Sequence, residues 1–335
     1  MRIFWLFVPL LLSPSSHALS ASGALNLYLE NDAETMGGPG SDADYSNGVK
    51  VSYIYAQESV PRWSYLFRKA MDLMGHDPDQ STTNYGVSLG HQIYTPENIS
   101  DVNLIENDRP YAGWLYVGGS AGFTLGRSLH LVTLNVGMVG PSAHGKEVQT
   151  EVHHAMGIGK PKGWKHQLHD EPTLQMFYQH RFRAWTLKHK DITYLSAIPY
   201  WGASLGNVRI DLSAGALLLF GYGLGEAFGP ARPSSSDVDT LVAPRNSGAD
   251  KWSLYGFVGA KEAAIGRSLF LDGNNFRPSQ HVDRIPFVFE TEFGTGVQWS
   301  RVSAIWRYVH RGPEFKERPN SHSFASVNLM YQADF

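Results

Sequence analysis

The sequence predicts an all-β protein: a single closed antiparallel transmembrane barrel of about twelve strands, with short helices in its outer loops. Three observations lead there. Apolar residues recur at every second position through segments of about ten residues, the period of a strand with two unlike faces. Past the first dozen residues, no run approaches the roughly 20 apolar residues that a spanning helix needs, and the nearest, Gly215 to Leu224, is interrupted by glycines. Finally, 34 glycines, 9 Trp, 16 Tyr and 17 Phe accompany only 18% charged residues, a composition suited to a lipid-facing wall bounded by aromatic side chains.

Taken in order, the chain opens with Arg2, an apolar run from Ile3 to Leu12, and then Ser13-Pro14-Ser15-Ser16-His17-Ala18. That is the charged, apolar and small-residue succession of a secretory signal peptide, so residues 1–18 are assigned to it and 19–335 to the barrel. The apolar run is too short to anchor the chain as a helix. An exported chain with no cysteine has no disulfide support and must stand on its core or on a membrane. Loss of Arg2 takes the formal charge from -3 to -4, which argues against nucleic acid as a partner.

Strands are expected near 24–31, 48–57, 84–94, 112–125, 128–139, 172–187, 191–205, 207–219, 251–262, 284–299, 301–310 and 322–335. In the second, Val49, Val51, Tyr53 and Tyr55 share one face and Gly48, Lys50, Ser52 and Ile54 the other. The last repeats this pattern and ends on Phe335, as chains delivered to the outer-membrane assembly machinery commonly do. Closure removes the sheet edges that a bilayer does not tolerate. By length, the connections at Gly126-Arg127 and Gly206 are expected as periplasmic turns, and Ser59–Thr83, Gly140–Glu171 and Gly221–Asp250 as outer loops. Arg62 to Met74 has Trp63, Leu66, Phe67, Ala70 and Leu73 at amphipathic helical spacing, and Pro230 to Gly248 is a Pro/Ser/Asp-rich loop without readable chemistry.

Two places carry chemistry. The first strand ends in Glu30-Asn31-Asp32 and the second begins Asp44-Tyr45-Ser46-Asn47-Gly48, which gathers carboxylate, amide and hydroxyl oxygens at one end of neighbouring strands. These are the hard donors that Ca²⁺ prefers, and they are equally the residues of which hairpin loops are made. The second place is Lys146 to Met156, a run without Pro or Gly that reads as one short helix, with Gln149 one turn before His153. His154 falls about 100° away on such a helix and is assigned to the surface. Arg109, in Asp108-Arg109-Pro110-Tyr111, suits either an anionic substrate group or an interior ion pair.

Taken together, Glu30-Asn31-Asp32, Asp44 to Gly48, Gln92-Ile93-Tyr94-Thr95-Pro96, Asp108 to Trp114 and Gly137 to His153 follow one another in an order that resembles the outer-membrane lipid A 3'-O-deacylases, over nearly the whole mature chain. The resemblance implies a twelve-stranded barrel that hydrolyses an ester-linked acyl chain of lipid A in the outer leaflet and depends on Ca²⁺. It implies that Asn31, Asp32, Ser46 and His153 form the catalytic set; by their own chemistry Asp32, Asn31 and Ser46 suit a metal, Arg109 a substrate phosphate or an ion pair, and Gln149 a substrate contact, the positioning of the imidazole or a plain helix surface. The position of Ser46 is often Thr in that family. An acidic residue is expected six positions after the histidine, where this chain has Gly159, which leaves Glu147, Glu151 or no residue in its place.

The residues make independent sense for such a reaction. Ester hydrolysis needs a base for water, which a neutral imidazole supplies, and positive charge where the oxyanion develops, which Ca²⁺ held by Asp32 and its oxygen neighbours would provide. Two alternatives stay open: an outer-membrane phospholipase or serine esterase with Ser46 as nucleophile and His153 as its base, although no Gly-x-Ser-x-Gly surrounds Ser46, and a barrel channel without catalysis.

Overall fold

A computed structural model describes residues 22–32, 44–55, 60–73, 75, 81–157, 159–190, 192–224, 228–230 and 252–334. The expected signal segment, the loop from Gly37 to Ala43 and most of the Pro230–Gly248 loop lie outside these residues. The strands are β1 (Ser22–Asn31), β2 (Asp44–Ile54), β3 (Thr82–Thr95), β4 (Ala112–Leu125), β5 (Ser128–Val139), β6 (Glu171–Phe182), β7 (Trp185–His189), β8 (Ile192–Gly206), β9 (Arg209–Tyr222), β10 (Trp252–Ser268), β11 (Phe287–Trp299), β12 (Val302–Arg311) and β13 (His322–Asp334). Every pairing is antiparallel and joins sequence neighbours except that β6 passes over β7 to pair with β8, and the sheet closes where β1 meets β13.

The expected strand 172–187 is present as two segments. β6 pairs with β8 from Gln175 to Arg181, and β7 continues along the same partner from Trp185 to His189, so the two form one stave of a twelve-stave barrel. The interruption falls at Arg183 and Ala184, whose carbonyls accept hydrogen bonds from the Arg127 guanidinium instead of completing the ladder.

Alternation separates two environments along each stave. On β4, a Cβ added to Gly118 would meet the side chains of Asn135 and Ser88, both buried, so the even positions of this strand face the lumen. Val117, on the odd face, is 59% exposed, as are Leu89, Val136 and Leu254 in comparable measure on their own strands. That apolar outer wall is what lipid covers. The lumen is polar and filled: Lys261 and Arg311 pair with Glu290 at 3.5 and 2.9 Å, and Arg307 pairs with Glu292 at 2.8 Å. A piece of the β9–β10 connection enters it as well, with Arg181 donating to the Phe228 carbonyl at 2.9 Å.

Strand parity settles which connection lies at which end, and it corrects the assignment by length. β1 and β13 place both termini at one end; the connections after β2 and β9, expected as outer loops, lie at that same end. Only the expected outer loop between β5 and β6 lies opposite, together with the connections after β1, β3, β8, β10 and β12. The short turn at Gly206, expected on the periplasmic side, therefore belongs with the β5–β6 loop.

Among the described residues there are three α-helices: α1 (Tyr65–Leu73), preceded by a 3-10 turn at Arg62–Ser64, α2 (Gly145–Met156) and the single turn α3 (Leu269–Asp272). α1 and α2 both lie against the outside of the barrel. The outward-facing Gly119 meets Trp63 and Phe67 of the α1 segment, and the outward-facing Gly113 meets Gly145 of α2. One helix thus covers the outer wall of β3 and β4 at the terminus end, and the other at the opposite end.

Candidate active site on the outer wall

The site is built by the first four strands at the end away from the termini. Asn31 and Asn47 are directly opposed in the β1–β2 ladder, on the outward face that carries Leu25 and Val51. Residues so opposed bring their Cβ atoms within about 5.5 Å. Between β2 and β3 the register slips: Tyr45 pairs with Tyr94 and Asn47 with Ile93, which leaves Ser46 as the extra residue of a bulge. A bulge re-aims a side chain that plain alternation would send the other way. Ser46 accordingly meets the Thr95 hydroxyl, on the row of β3 that carries His91 and Ile93 outward, and is buried.

The neighbouring residues explain the rest of this motif. Tyr45 turns into the lumen, where its hydroxyl donates to Glu30 at 2.8 Å and its ring packs against Tyr94 and Phe324. A Cβ on Gly48 would fall 1.9 Å from that hydroxyl, so glycine is required beneath the ring. Asp44 starts the strand at a φ of 69°, in the left-handed region, and its carboxylate is engaged by Arg109 Nε at 2.9 Å and by Arg318. Asp44 therefore leaves the oxygen cluster in which the sequence placed it and serves as an anchor below the bulge.

α2 arrives over these strands in a fixed order. Its first residue touches Gly113 on β4, where a Cβ would stand 3.0 Å from the Gly145 Cα. One turn on, Val148 packs against a cluster formed by Ile93 of β3, Tyr111 and Trp164. The buried row of the helix is Gly145, Gln149 and His153, spaced four residues apart. α2 thus lies along the outside of β4 and β3, and β2, the next strand of the wall, carries Ser46 and Asn47 at this same end.

Two polar contacts set the buried row. His153, 3% exposed, directs Nδ1 at the Gly159 carbonyl, 2.7 Å away. A carbonyl only accepts, so Nδ1 carries a proton, and in the neutral ring the lone pair lies on Nε2. Gln149, 4% exposed, accepts from the Trp164 indole at 2.8 Å, while its Nε2 has no hydrogen-bond partner among the described residues. The position where the family pattern expects an acid thus supplies a backbone acceptor. Glu147 and Glu151, the other acidic candidates, are exposed on the far side of α2, with His154.

Arg109 takes the second of its two expected roles. It is 1% exposed, paired with Asp44 and with Glu314 at 2.8 Å, and faced by the ring of Phe315. Burial works against its charge, but the two carboxylates hold its proton above the ordinary range. Enclosed this way, it offers nothing to a substrate phosphate. Burial likewise favours the neutral form of Glu314, yet Arg109 and Arg311 hold that carboxyl well below the usual carboxylate range. Close by, burial raises Asp108 above its ordinary value and pushes the Tyr111 phenol up to about 12.

A metal fits the oxygen donors in part. Asp32 is buried just past β1, and the Oδ1 of Asn47 is a buried acceptor without a hydrogen-bond partner among the described residues. Hard amide, hydroxyl and carboxylate oxygens suit Ca²⁺, with water or substrate completing the shell. No group of three His, Cys, Asp or Glu able to hold a metal occurs among the described residues. Thr95, Trp164, Glu314 and Arg318 were not singled out from sequence. Thr95 lies within a quoted motif, whereas Glu314 and Arg318 are some 200 residues from Arg109 and carry no local signal.

The family model for the outer membrane protein LpxR matches residues 3–333. The chain belongs to the LpxR family. This is the family whose motifs the sequence resembles, and the protein is accordingly an outer-membrane barrel. Among solved structures, LpxR from Salmonella typhimurium superposes with a TM-score of 0.71 at 17% identity, covering 92% of this chain and 99% of that one. The β domain of the Bordetella autotransporter BrkA is also similar, with a TM-score of 0.43 at 9% identity, over 95% of this chain and all of that one. A comparison with curated protein sequences finds no match.

Proposed function

We propose that this chain is a lipid A deacylase that hydrolyses the 3'-linked acyl or acyloxyacyl ester of lipopolysaccharide in the outer leaflet. One observation carries the reading. α2 buries His153 against the outside of the barrel rather than over its lumen, so the site opens toward lipid. An enzyme whose substrate is a membrane lipid needs that access, whereas a channel would need an open lumen, and this one is filled by ion pairs and by Phe228.

In this reading His153 Nε2 takes a proton from water as the water oxygen attacks the ester carbonyl. Collapse of the tetrahedral intermediate breaks the bond to the sugar oxygen, and His153 returns the proton to that leaving oxygen. The Gly159 carbonyl keeps the ring in the required tautomer. Gln149 Nε2, one turn before His153, is a buried donor suited to an oxygen of the substrate. Asp32, Asn31 and Ser46 would hold Ca²⁺, which when bound supplies positive charge to the developing oxyanion. Lys160, Lys162 and Lys165, exposed after α2, suit the lipid A phosphates in the place of Arg109.

Mass spectrometry of purified protein incubated with lipid A, or with phospholipid, tests this. The expected product is the freed acyl group from lipid A in Ca²⁺ and none in excess chelator. Release from phospholipid alone would replace this reading with a phospholipase, and release in chelator would remove the metal.

A further inference from the structure

The catalytic reading leaves α1 without a role, although its sequence stood out and its chemistry is unlike that of a loop. On a helical wheel Trp63, Phe67 and Met71 form one row, and this row packs on Tyr85, Phe123 and Ala121 of the outer wall. Directly beside it runs a second apolar row, Leu66, Ala70 and Leu73, which is exposed, Leu66 at 69% and Leu73 at 80%. The remaining arc holds Arg62, Arg68, Lys69 and Asp72, three cations against one anion. The apolar arc is thus about twice as wide as the surface the barrel covers.

A helix that only capped a periplasmic loop would present polar residues beyond its packed row. Here the exposed row continues the outer wall of the same two strands, where Leu89 and Val117 are 48% and 59% exposed to lipid. We propose that α1 is an in-plane membrane helix: Leu66, Ala70 and Leu73 sit among phospholipid acyl chains at the terminus end of the barrel, with Arg62 and Lys69 at the phosphate level of that leaflet. That this leaflet is the periplasmic one rests on reading the end with α2 as outward. The protein then grips one leaflet with α1 while α2 works in the other.

The chain has no cysteine, so single nitroxide labels can be placed cleanly. Three full-length variants, L66C, L73C and D72C, are labelled and reconstituted in phosphatidylcholine–phosphatidylglycerol vesicles. Collision with oxygen is compared with collision with a water-soluble nickel chelate, and folding is confirmed by the heat-dependent gel mobility of a closed barrel. The oxygen-to-nickel ratio is expected to be several-fold higher at positions 66 and 73 than at 72, which lies about 100–120° round the helix from them, on its polar arc. Equal, water-like ratios at all three positions in folded protein would overturn the proposal. The readout does not involve hydrolysis, so it fails or succeeds independently of the enzymatic reading.

Discussion

Two helices lie on the outside of the same two strands, and they differ in what they bury. α1 sets Trp63, Phe67 and Met71 against tyrosine, phenylalanine and alanine, while α2 buries Gly145, Gln149 and His153 as one row. Apolar burial is non-directional and serves attachment. Polar burial is costly unless each group has a partner, so a helix that buries a histidine and a glutamine does so at a place with work for them. On the two proposals made above, the same scaffold position at two ends of a barrel separates an anchor from a site.

That contrast can be broken at several strengths. The largest effect is expected at Asp32: D32A should lower lipid A hydrolysis by two orders of magnitude or more, the scale of several kcal/mol of lost charge stabilisation, with normal barrel formation. Next is the seat of α2. A side chain at Gly145 would strike the Trp164 ring at 2.7 Å and Gly113 at 3.0 Å, so G145L should lift the helix and abolish most activity while barely moving the unfolding midpoint. On α1 the pattern should invert: M71A removes a fully buried side chain and is expected to lower stability by about 2–5 kcal/mol in urea titrations, with hydrolysis per folded molecule unchanged.

The smallest expected effect concerns acid. Glu314 has a folded-state pKa below its unfolded value, held there by Arg109 and Arg311 against burial, so its stabilisation is complete above the ordinary carboxylate range of about 4.3 and is lost as pH falls below it. In E314Q the unfolding midpoint should be lower near neutral pH and less dependent on pH on the acid side. An unaltered acid limb would place the acid sensitivity elsewhere.

Much of this architecture was legible, because a barrel in lipid imposes the same two-residue period on every strand. Ala112–Leu125 and Ser128–Val139 stand where alternation puts them, and the α2 segment was evident from its lack of Pro and Gly. Loop length misled: 55–81 and 223–251 are long but lie with the termini, and only counting strands reveals that. Within the site, the oxygen cluster around Asn31, Ser46 and Asn47 was readable as composition. Asp44 was not separable from it, since its partners Arg109, Arg318 and His322 come from distant parts of the chain, the last two across the seam where the barrel closes. Arg109 was ambiguous for the same reason. Nor does alternation foretell the bulge that turns Ser46 outward.

The central claim is that the row buried under α2 performs the hydrolysis. Mass-spectrometric measurement of acyl release from lipid A in Ca²⁺, for the wild-type protein and for H153A in equal folded amounts, addresses it directly. The loss of a positioned general base predicts a fall of about 10²–10⁴-fold in H153A, with H154A at the wild-type rate. Release by H153A at the wild-type rate would contradict the account.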